Sequence, residues 1–149
     1  MAYEVLTLQD QQAINWRQQI RELLAEFSAE VSQKMAEGSY DDILEKTYRS
    51  PHAYFCLAVG RTQREAVGMY IGTYMPVGLS SRLYIDGVVT AKQFRRQGVF
   101  NDVLRPHMIE LGRRLGCDAI DFTSSKPAAQ AAYLQAGFSS PTTAFRLRL

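Results

Sequence analysis

The spacing of apolar residues predicts helices in the first third of the chain. Tyr3 to Leu8 is typical of a short strand, and Asp10 is suited to cap the helix that follows it. Beyond Asp10, apolar residues recur at helical spacing and predict one buried helix face, broken near Ser28: Trp16, Ile20, Leu23, Leu24, Phe27 and Val31. Gly38-Ser39 predicts the end of this region, and a further short helix is expected from Asp41 to Arg49.

Apolar and aromatic runs predict β-strands in the middle of the chain. Ala53 to Val59 and Ala66 to Met75 flank a polar turn, which is the pattern of an antiparallel hairpin. A loop is expected from Pro76 to Ser81, and a third strand from Leu83 to Thr90.

Helices and strands alternate in the last third of the chain. The pattern predicts a helix from near Gly98 to about Leu115, a strand from Ala119 to Thr123 and a helix from Pro127 to Ala136. A last strand is indicated by alternation of apolar and basic residues: Phe145, Arg146, Leu147, Arg148 and Leu149. This order predicts one domain over residues 1–149, of α+β class, with a three-layer α/β/α arrangement. Its central sheet is expected to be mixed, mostly antiparallel and flanked by helices.

Composition and charge narrow the range of functions. A chain of 149 residues with 46% apolar and 21% charged residues is typical of one soluble globular domain. The formal charge of +2 argues against a nucleic-acid partner. Met1 to Asp10 does not have the basic start and following apolar run of a signal peptide, so none is expected. No apolar run reaches the roughly 20 residues that span a bilayer. The expectation is a cytoplasmic protein with no membrane partner.

Cysteine and histidine show no metal-ligand spacing, so no metal is expected. Cys56 and Cys117 lie far apart and are interpreted as buried free thiols in a reducing compartment. His107 lies within a predicted helix and is interpreted as structural. His52 follows Pro51 just before a strand, where nothing in the sequence requires it to act.

The segment from Val88 to Phe100 is the first candidate for chemistry, because a strand ends there, a basic loop follows and a helix begins. Backbone N–H groups at a helix start lack intrahelical partners and favour a phosphate or pyrophosphate. Gly98 allows close approach of the backbone, and Arg95 and Arg96 add positive charge. A solvated turn is the alternative interpretation of these residues.

The second candidate segment is an alanine-rich helix around Tyr133. Ser124 or Ser125 can cap it, Pro127 lies in its first turn, and Gly137 supplies the left-handed position that ends it. Ala129 and Ala136 lie about one turn on either side of Tyr133, and such small residues permit an extended ligand to approach. The alternative is that Tyr133 is a half-buried core aromatic.

Taken together, the two segments resemble the GNAT superfamily of N-acetyltransferases. The pyrophosphate loop of that family, Arg/Gln-x-x-Gly-x-Gly/Ala, is matched by Arg95, Arg96, Gln97, Gly98 and Val99, with Phe100 in place of the last small residue. The later helix of the family often has the pattern Asn-x-x-Ala-x-x-x-Tyr followed by Gly-Phe. That pattern is matched by Ala129, Tyr133, Gly137 and Phe138, with Lys126 in place of the asparagine.

The resemblance implies acetyl-CoA as co-substrate and assigns residues to it. Backbone groups of Val88, Val89 and Thr90 would hydrogen-bond the acetyl carbonyl and the pantetheine arm. The coenzyme site is further expected to include Arg95, Arg96, Gln97, Gly98, Val99, Phe100, Asn101, Ala129 and Tyr133, with the pyrophosphate held by backbone amides from about Arg96 to Asn101.

The same resemblance places Tyr133 near the coenzyme sulfur as general acid. A tyrosine of pKa about 10 stays protonated at neutral pH and can supply the proton that the departing thiolate needs. A base must take a proton from the attacking amine, and Asp86 is the candidate. It lies two and four residues before Val88 and Thr90, which predicts that the three share one strand face. An exposed strand-end carboxylate without a role is the alternative.

Two residues depart from the expected pattern. Phe100 puts a large ring where the family has a small residue, so a shifted loop or a ring covering the coenzyme is expected. Pro106 falls inside the predicted helix, where proline removes a backbone hydrogen bond at a cost of up to about 3 kcal/mol. The sequence therefore predicts a kink there, or a helix that begins later.

Three functions remain open. The first is transfer of an acetyl group from acetyl-CoA to a primary amine of a small molecule or a protein or peptide. The second is a non-catalytic acyl-CoA-binding regulatory module of the same fold. The third, a nucleic-acid-binding domain that uses the arginines of the basic loop and following helix, is disfavoured by the low net charge. A homodimer is compatible with the resemblance, because many family members dimerise.

Overall fold

One five-stranded sheet forms the centre of the molecule. The computed structural model describes residues 2–8, 10–30, 39–76, 80–122, 127–140, 147 and 149. The strands are β1 (Tyr3–Leu8), β2 (Ala53–Gly60), β3 (Ala66–Met75), β4 (Arg82–Thr90) and β5 (Ala119–Phe122). They lie in the order β1-β2-β3-β4-β5, with β1 to β4 antiparallel and β4 and β5 parallel. The predicted mixed, mostly antiparallel sheet is confirmed.

Helices flank the sheet. The α-helices of the described residues are α1 (Asp10–Glu30), α2 (Ser39–Arg49), α3 (Arg105–Arg114) and α4 (Pro127–Gln135). A 3₁₀ turn spans Lys92–Phe94, and a π-helical segment spans Val99–Leu104 directly before α3. The helix α1 packs against β3 and β4. The π-helical segment and α3 belong to a second core cluster, on the other face of the sheet.

Each face of the sheet carries its own hydrophobic core. On the α1 side the buried residues include Trp16, Ile20, Leu23, Leu44, Phe55, Leu57 and Val89. On the α3 side they include Tyr70, Leu83, Ile85, Val99, Leu104, Met108 and Leu111. Full burial of a large aliphatic side chain contributes about 1.5–3 kcal/mol, so the two cores hold helices on both faces. Both faces of the central strands are therefore buried, as a three-layer arrangement requires.

Most predicted strand and helix bounds agree with the structure to within two residues. The predicted bounds of β3 are met at both ends, and α1 begins at Asp10, the residue predicted to cap it. Gly38, Thr123, Phe145, Arg146 and Arg148 lie outside the described residues, as do Val77, Gly78 and Leu79 of the predicted loop. The last strand therefore stays a prediction.

One prediction about the N-terminal helices is wrong, because α1 does not break near Ser28 but continues to Glu30. Ser28 is buried within α1, and its hydroxyl is satisfied there: it lies 3.2 Å from the carbonyl oxygen of Ala25 and 3.1 Å from the hydroxyl of Tyr40. The helix α2 begins at Ser39, two residues before the predicted start. Val31, of the predicted helix face, lies outside the described residues, so the predicted end of the first helical region stays a prediction.

Pro106 lies in the first turn of the α-helix, which begins at Arg105, and proline is tolerated at that position. In the preceding π-helical segment, the N–H of Arg105 bonds the carbonyl of Phe100, five residues back. A helical segment therefore begins at Val99 with Gly98 as its N-cap, as predicted, but its first six residues are π-helical and the α-helix begins at Arg105.

The two cysteines differ in burial, although both are free thiols. Cys56 is fully buried, and this burial raises the pKa of its thiol to about 11. Cys117 is only half-buried, so the expectation of two buried thiols holds for Cys56 and is wrong for Cys117.

The described ranges contain neither a membrane-spanning helix nor a cluster of metal ligands. No helix there has the length and apolar character needed to span a membrane. In the same part of the chain, no three His, Cys, Asp or Glu side chains lie close enough together to hold a metal ion.

Candidate active site

A β-bulge interrupts β4 at Asp86. Gly72 of β3 lies opposite Ile85, whereas its neighbour Ile71 lies opposite Gly87, so Asp86 is an extra residue without a partner in β3. Ile85 and Val88 both pack toward the α3-side core, although strict alternation would put residues three apart on opposite faces. The prediction that Asp86, Val88 and Thr90 share one face by alternation is therefore wrong. Asp86 itself is exposed at the bulge.

Beyond the bulge, β4 extends past its last described partner in β5. Their parallel pairing runs only from Arg82 to Ile85 on β4, opposite Ala119 to Phe122 on β5. Among the described residues, the rest of β4 is paired with β3 alone. No described residue pairs with the side of β4 that faces away from β3 from Asp86 to Thr90, and we call the space beside that edge the gap.

Backbone groups of β4 point into this gap. The N–H of Ala91 donates to the carbonyl oxygen of Val67 at 2.9 Å, which fixes the phase of the ladder between β3 and β4. Hydrogen-bonded pairs alternate along an antiparallel ladder, so the polar groups of Val89 face β3, whereas those of Val88 and Thr90 face the gap. Val88 and Thr90 therefore direct backbone groups away from β3, as the predicted hydrogen bonds to the acetyl carbonyl and the pantetheine arm require.

The first arginine of the loop folds back onto this edge. The Nε–H of Arg95 donates to the carbonyl oxygen of Thr90 at 3.1 Å. The positive charge of Arg95 therefore lies beside this edge of β4. Arg96, the next residue, is exposed as well.

The loop turns sharply through left-handed backbone conformations. Arg96 has φ of +63° and Gly98 has φ of +78°. The N–H of Asp102 donates to the carbonyl of Gly98 at 2.8 Å, which starts the π-helical segment. Unpaired N–H groups of this first turn, which includes Val99 and Phe100, give the segment a positive end suited to an anion.

Side chains from two other parts of the fold anchor the base of the loop. A carboxylate oxygen of Glu26 on α1 accepts the N–H of Lys92 at 3.1 Å. Gln93 donates to the carboxylate of Glu65 in the turn between β2 and β3 at 2.9 Å, and its carbonyl accepts the Gln97 amide at 3.2 Å. These contacts fix the loop before any ligand binds.

Tyr133 lies at the C-terminal end of α4, which closes with a Schellman motif. Gly137 has φ of +95°, and its N–H bonds the carbonyl of Leu134, while the N–H of Phe138 bonds the carbonyl of Tyr133. The predicted role of Gly137 is confirmed. Because this motif folds the chain back, the ring of Phe138 lies 6.2 Å from that of Tyr133.

Tyr133 belongs to a cluster of four aromatic rings, which we call the aromatic cluster: Phe100, Phe122, Tyr133 and Phe138. The Tyr133 ring stacks on Phe122 with centroids 4.8 Å apart, and Phe100 lies 5.5 Å from it. Burial raises the pKa of the Tyr133 hydroxyl above its ordinary value. Since Phe122 lies opposite Ile85, the Tyr133 ring stacks beside the last described pair of β4 and β5.

The structure brings most of the predicted site residues around this gap. Val88, Thr90 and the basic loop border it, and the Tyr133 ring stacks on Phe122, the last described residue of β5. Ala129 is half-buried on α4, whereas Ser124, Ser125 and Lys126 lie outside the described residues. The sequence analysis did not identify Phe122 or the contact between the rings of Phe100 and Tyr133. The available signal was the aromatic residue Phe122 near the end of the strand that precedes the Tyr133 helix.

Both histidines lie apart from these residues. Nδ1 of His107 is 2.6 Å from the hydroxyl of Tyr70 in the α3-side core, which fits the structural role expected for His107. His52 is exposed and packs edge-on against Tyr74.

Comparison with known proteins agrees with this geometry. A family model described as "Acetyltransferase (GNAT) family" matches residues 16–138. No curated protein is similar enough in sequence to count as a relative.

Solved structures share the fold at low sequence identity. A transcriptional regulator from Bacillus halodurans C-125 is 22% identical, with 99% of each chain covered and a TM-score of 0.79. An aminoglycoside N-acetyltransferase, solved with a bisubstrate analogue that joins CoA to acetylneamine, is 15% identical, with 100% of this chain and 99% of the other covered and a TM-score of 0.76. Glucosamine-6-phosphate N-acetyltransferase from Arabidopsis thaliana is 14% identical, with 99% of each chain covered and a TM-score of 0.74.

Proposed function

Since the chain belongs to the GNAT family of acetyltransferases, we propose that it transfers an acetyl group from acetyl-CoA to a primary amine of a small molecule or peptide. The observation that carries the proposal is the gap between β4 and β5. It combines an unpaired backbone edge, a basic loop at one end and a half-buried tyrosine at the other. These three features match the three parts of acetyl-CoA, namely an acyl-pantetheine arm, a pyrophosphate and a thioester sulfur.

In this proposal the backbone and the loop hold the coenzyme. Groups of Val88 and Thr90 that face the gap bond the pantetheine amides and polarise the acetyl carbonyl. The amides from Arg96 to Asn101 bind the pyrophosphate, and Arg95 and Arg96 supply charge. Ala129, which is small and half-buried, borders the coenzyme on the side of α4.

Tyr133 supplies the proton that the leaving group requires. The amine nitrogen attacks the carbonyl carbon, the carbon–sulfur bond breaks, and the sulfur takes the phenolic proton of Tyr133, while the nitrogen releases one proton to water as the amide forms. Because burial raises the pKa of this hydroxyl, it stays protonated at neutral pH and is available as an acid. The Tyr133 anion is then reprotonated from solvent.

Asp86 is the proposed base. Its position at the bulge exposes the carboxylate to solvent beside the edge that would hold the acetyl group, so a proton can pass to it from an ammonium directly or through one water. If Asp86 is only an exposed carboxylate, Asp86→Asn leaves the pH dependence of the rate unchanged.

A small amine is the acceptor class that has the most support. Two proteins of the same fold act, by their names, on an aminoglycoside and on glucosamine 6-phosphate, which are both amino sugars. Soluble acetyl-CoA and a free buried thiol at Cys56 fit the cytoplasm as the compartment.

The proposal is tested by binding and turnover with one protein preparation. Acetyl-CoA at about 100 times its Kd should stabilise the fold by about 2.7 kcal/mol, measured as a rise in melting temperature. Release of the CoA thiol is then followed with a panel of aminoglycosides, amino sugars, polyamines and peptides. Tyr133→Phe should lower kcat by about 10²-fold or more while the Kd of acetyl-CoA changes little.

The outcomes separate the candidate functions. Turnover of any amine that depends on Tyr133 supports acetyl transfer. Binding of acetyl-CoA without turnover across the panel would instead favour a non-catalytic acyl-CoA-binding regulatory module, an alternative supported by the transcriptional regulator of the same fold. Absence of any effect of acetyl-CoA on melting would exclude both.

A further inference from the structure

The aromatic cluster connects the coenzyme loop to the proposed acid. We propose that Phe100 is a positioning residue: its ring sets the place of the Tyr133 hydroxyl by packing against the Tyr133 ring. This inference rests on the proposed acetyl transfer and adds a residue to it. The resemblance assigned Phe100 to the coenzyme, whereas the structure turns its side chain toward α4.

The helix α4 does little to hold Tyr133 in place by itself. None of its described side chains is buried, and Leu134, the residue next to Tyr133, is 57% exposed. Its alanines present little surface for packing. The position of Tyr133 therefore depends on the contacts of its own ring.

Three rings make those contacts, and each comes from a different place. Phe138 follows Tyr133 through the Schellman motif, so it moves with the end of α4. Phe122 ends β5 and stacks on one face of the Tyr133 ring. Phe100 comes from the π-helical segment that follows Gly98, and its ring is inclined at 57° to that of Tyr133. Through this ring contact, Phe100 connects Tyr133 to the segment whose amides would hold the pyrophosphate.

The segment that carries Phe100 is well fixed. Val99 is 2% exposed and Leu104 is fully buried in the α3-side core, so the backbone on both sides of Phe100 is anchored to the sheet. A proton donor must come within about 2.6–3.2 Å of its target, and a displacement of about 1 Å can cost up to about 10²-fold in rate. A small residue at position 100 could not reach Tyr133, so this chain uses a ring contact where the family pattern has none.

The test is a double-mutant cycle between Phe100 and Tyr133. Phe100→Ala is measured in the unsubstituted protein and in the Tyr133→Phe background, with the amine that the unsubstituted protein acetylates fastest. We expect kcat to fall about tenfold or more in the first and less than about twofold in the second, while the Kd of acetyl-CoA changes less than about threefold. Phe100→Tyr keeps the ring and should keep kcat within about twofold. Leu134→Ala, on the same helix, is the matched control and should leave kcat unchanged.

A second readout does not depend on turnover. The ultraviolet titration of Tyr133 is obtained as the difference between each protein and its Tyr133→Phe counterpart. Without the Phe100 ring, water reaches the hydroxyl, so Phe100→Ala should lower the Tyr133 pKa toward its ordinary value. If Phe100→Ala does not fold by circular dichroism, Phe100→Leu serves in both measurements.

Three results would overturn the inference. Equal loss of kcat in both backgrounds would show that Phe100 does not act through Tyr133. Weaker acetyl-CoA binding with unchanged kcat would place Phe100 in coenzyme binding alone. Absence of turnover in the unsubstituted protein would overturn the proposed function and this inference with it, which distinguishes that failure from the other two.

Discussion

At the scale of single residues, Gly98 carries two separate constraints. Its φ of +78° lies in the left-handed region, which costs other residues about 1–2 kcal/mol. A Cβ added to Gly98 would also overlap a carboxylate oxygen of Asp102, so the Asp102 side chain would have to turn away. Gly116 has nearly the same conformation, with φ of +73°, but no atom lies within 4 Å of an added Cβ.

This pair of glycines gives a matched prediction. Gly116→Ala should lower the free energy of unfolding by about 1 kcal/mol through backbone strain alone. Gly98→Ala should lower it further and also weaken acetyl-CoA binding, because Asp102 must move at the start of the π-helical segment. Urea unfolding and calorimetric titration measure the two effects. Equal stability loss for the two variants, with unchanged coenzyme affinity, would contradict the proposed function of the loop.

At the scale of elements, the coenzyme loop is held by a carboxylate from another layer of the fold. Glu26 on α1 accepts the N–H of Lys92, at the start of the 3₁₀ turn. Without this acceptor the loop is free to sample other conformations before binding, which costs affinity. A hydrogen bond of this kind contributes about 0.5–1.5 kcal/mol.

We therefore expect Glu26→Ala to raise the Kd of acetyl-CoA about threefold to tenfold with kcat unchanged. Glu26→Gln keeps an oxygen acceptor and should bind acetyl-CoA within about twofold of the unsubstituted protein. An equal rise in the Kd of acetyl-CoA in both variants would mean that the charge of Glu26, and not its hydrogen bond, stabilises the loop.

Regular elements could be predicted from the sequence, and irregular ones could not. A continuous apolar run indicated β3 because both of its faces are covered, and a period of about 3.6 residues indicated α1 because it is buried on one face. The bulge at Asp86 and the π-helical segment are changes of one residue in hydrogen-bond register, and no residue type signals them reliably. The ring contact of Phe100 was likewise hidden, since its partner Tyr133 is 33 positions away in the chain.

At the scale of the whole molecule, a polar contact is buried between the sheet and α3. Nδ1 of His107 lies 2.6 Å from the hydroxyl of Tyr70, and burial lowers the pKa of His107 while it raises that of Tyr70. Arg114 also lowers the pKa of His107, whereas Glu110 raises it, and the thiol of Cys56 faces Tyr70 from β2. The phenol therefore stays protonated and the imidazole stays neutral at pH 7.

This contact predicts acid sensitivity of the fold. The pKa of His107 is lower in the folded than in the unfolded state, so its contribution to stability is complete above about pH 6.5 and is lost as the pH falls below that value. The urea midpoint should therefore fall more between pH 7.5 and pH 5.5 in the unsubstituted protein than in His107→Gln. His52→Gln, at an exposed histidine, should behave like the unsubstituted protein. Identical pH profiles for all three would contradict the assignment.

The short pairing of β4 with β5 has a consequence for how the molecule opens. Strands β1 to β4 follow one another in both chain and sheet, and they form a continuous antiparallel unit. Among the described residues, β5 joins that unit through four residue pairs, and α4 adds no buried side chain. Local unfolding starts where few apolar contacts are lost, so β5 and α4 should exchange their amide hydrogens fastest. A coenzyme lying between β4 and β5 would bind both the stable unit and this labile edge, and its binding energy would go partly into closing the molecule around it.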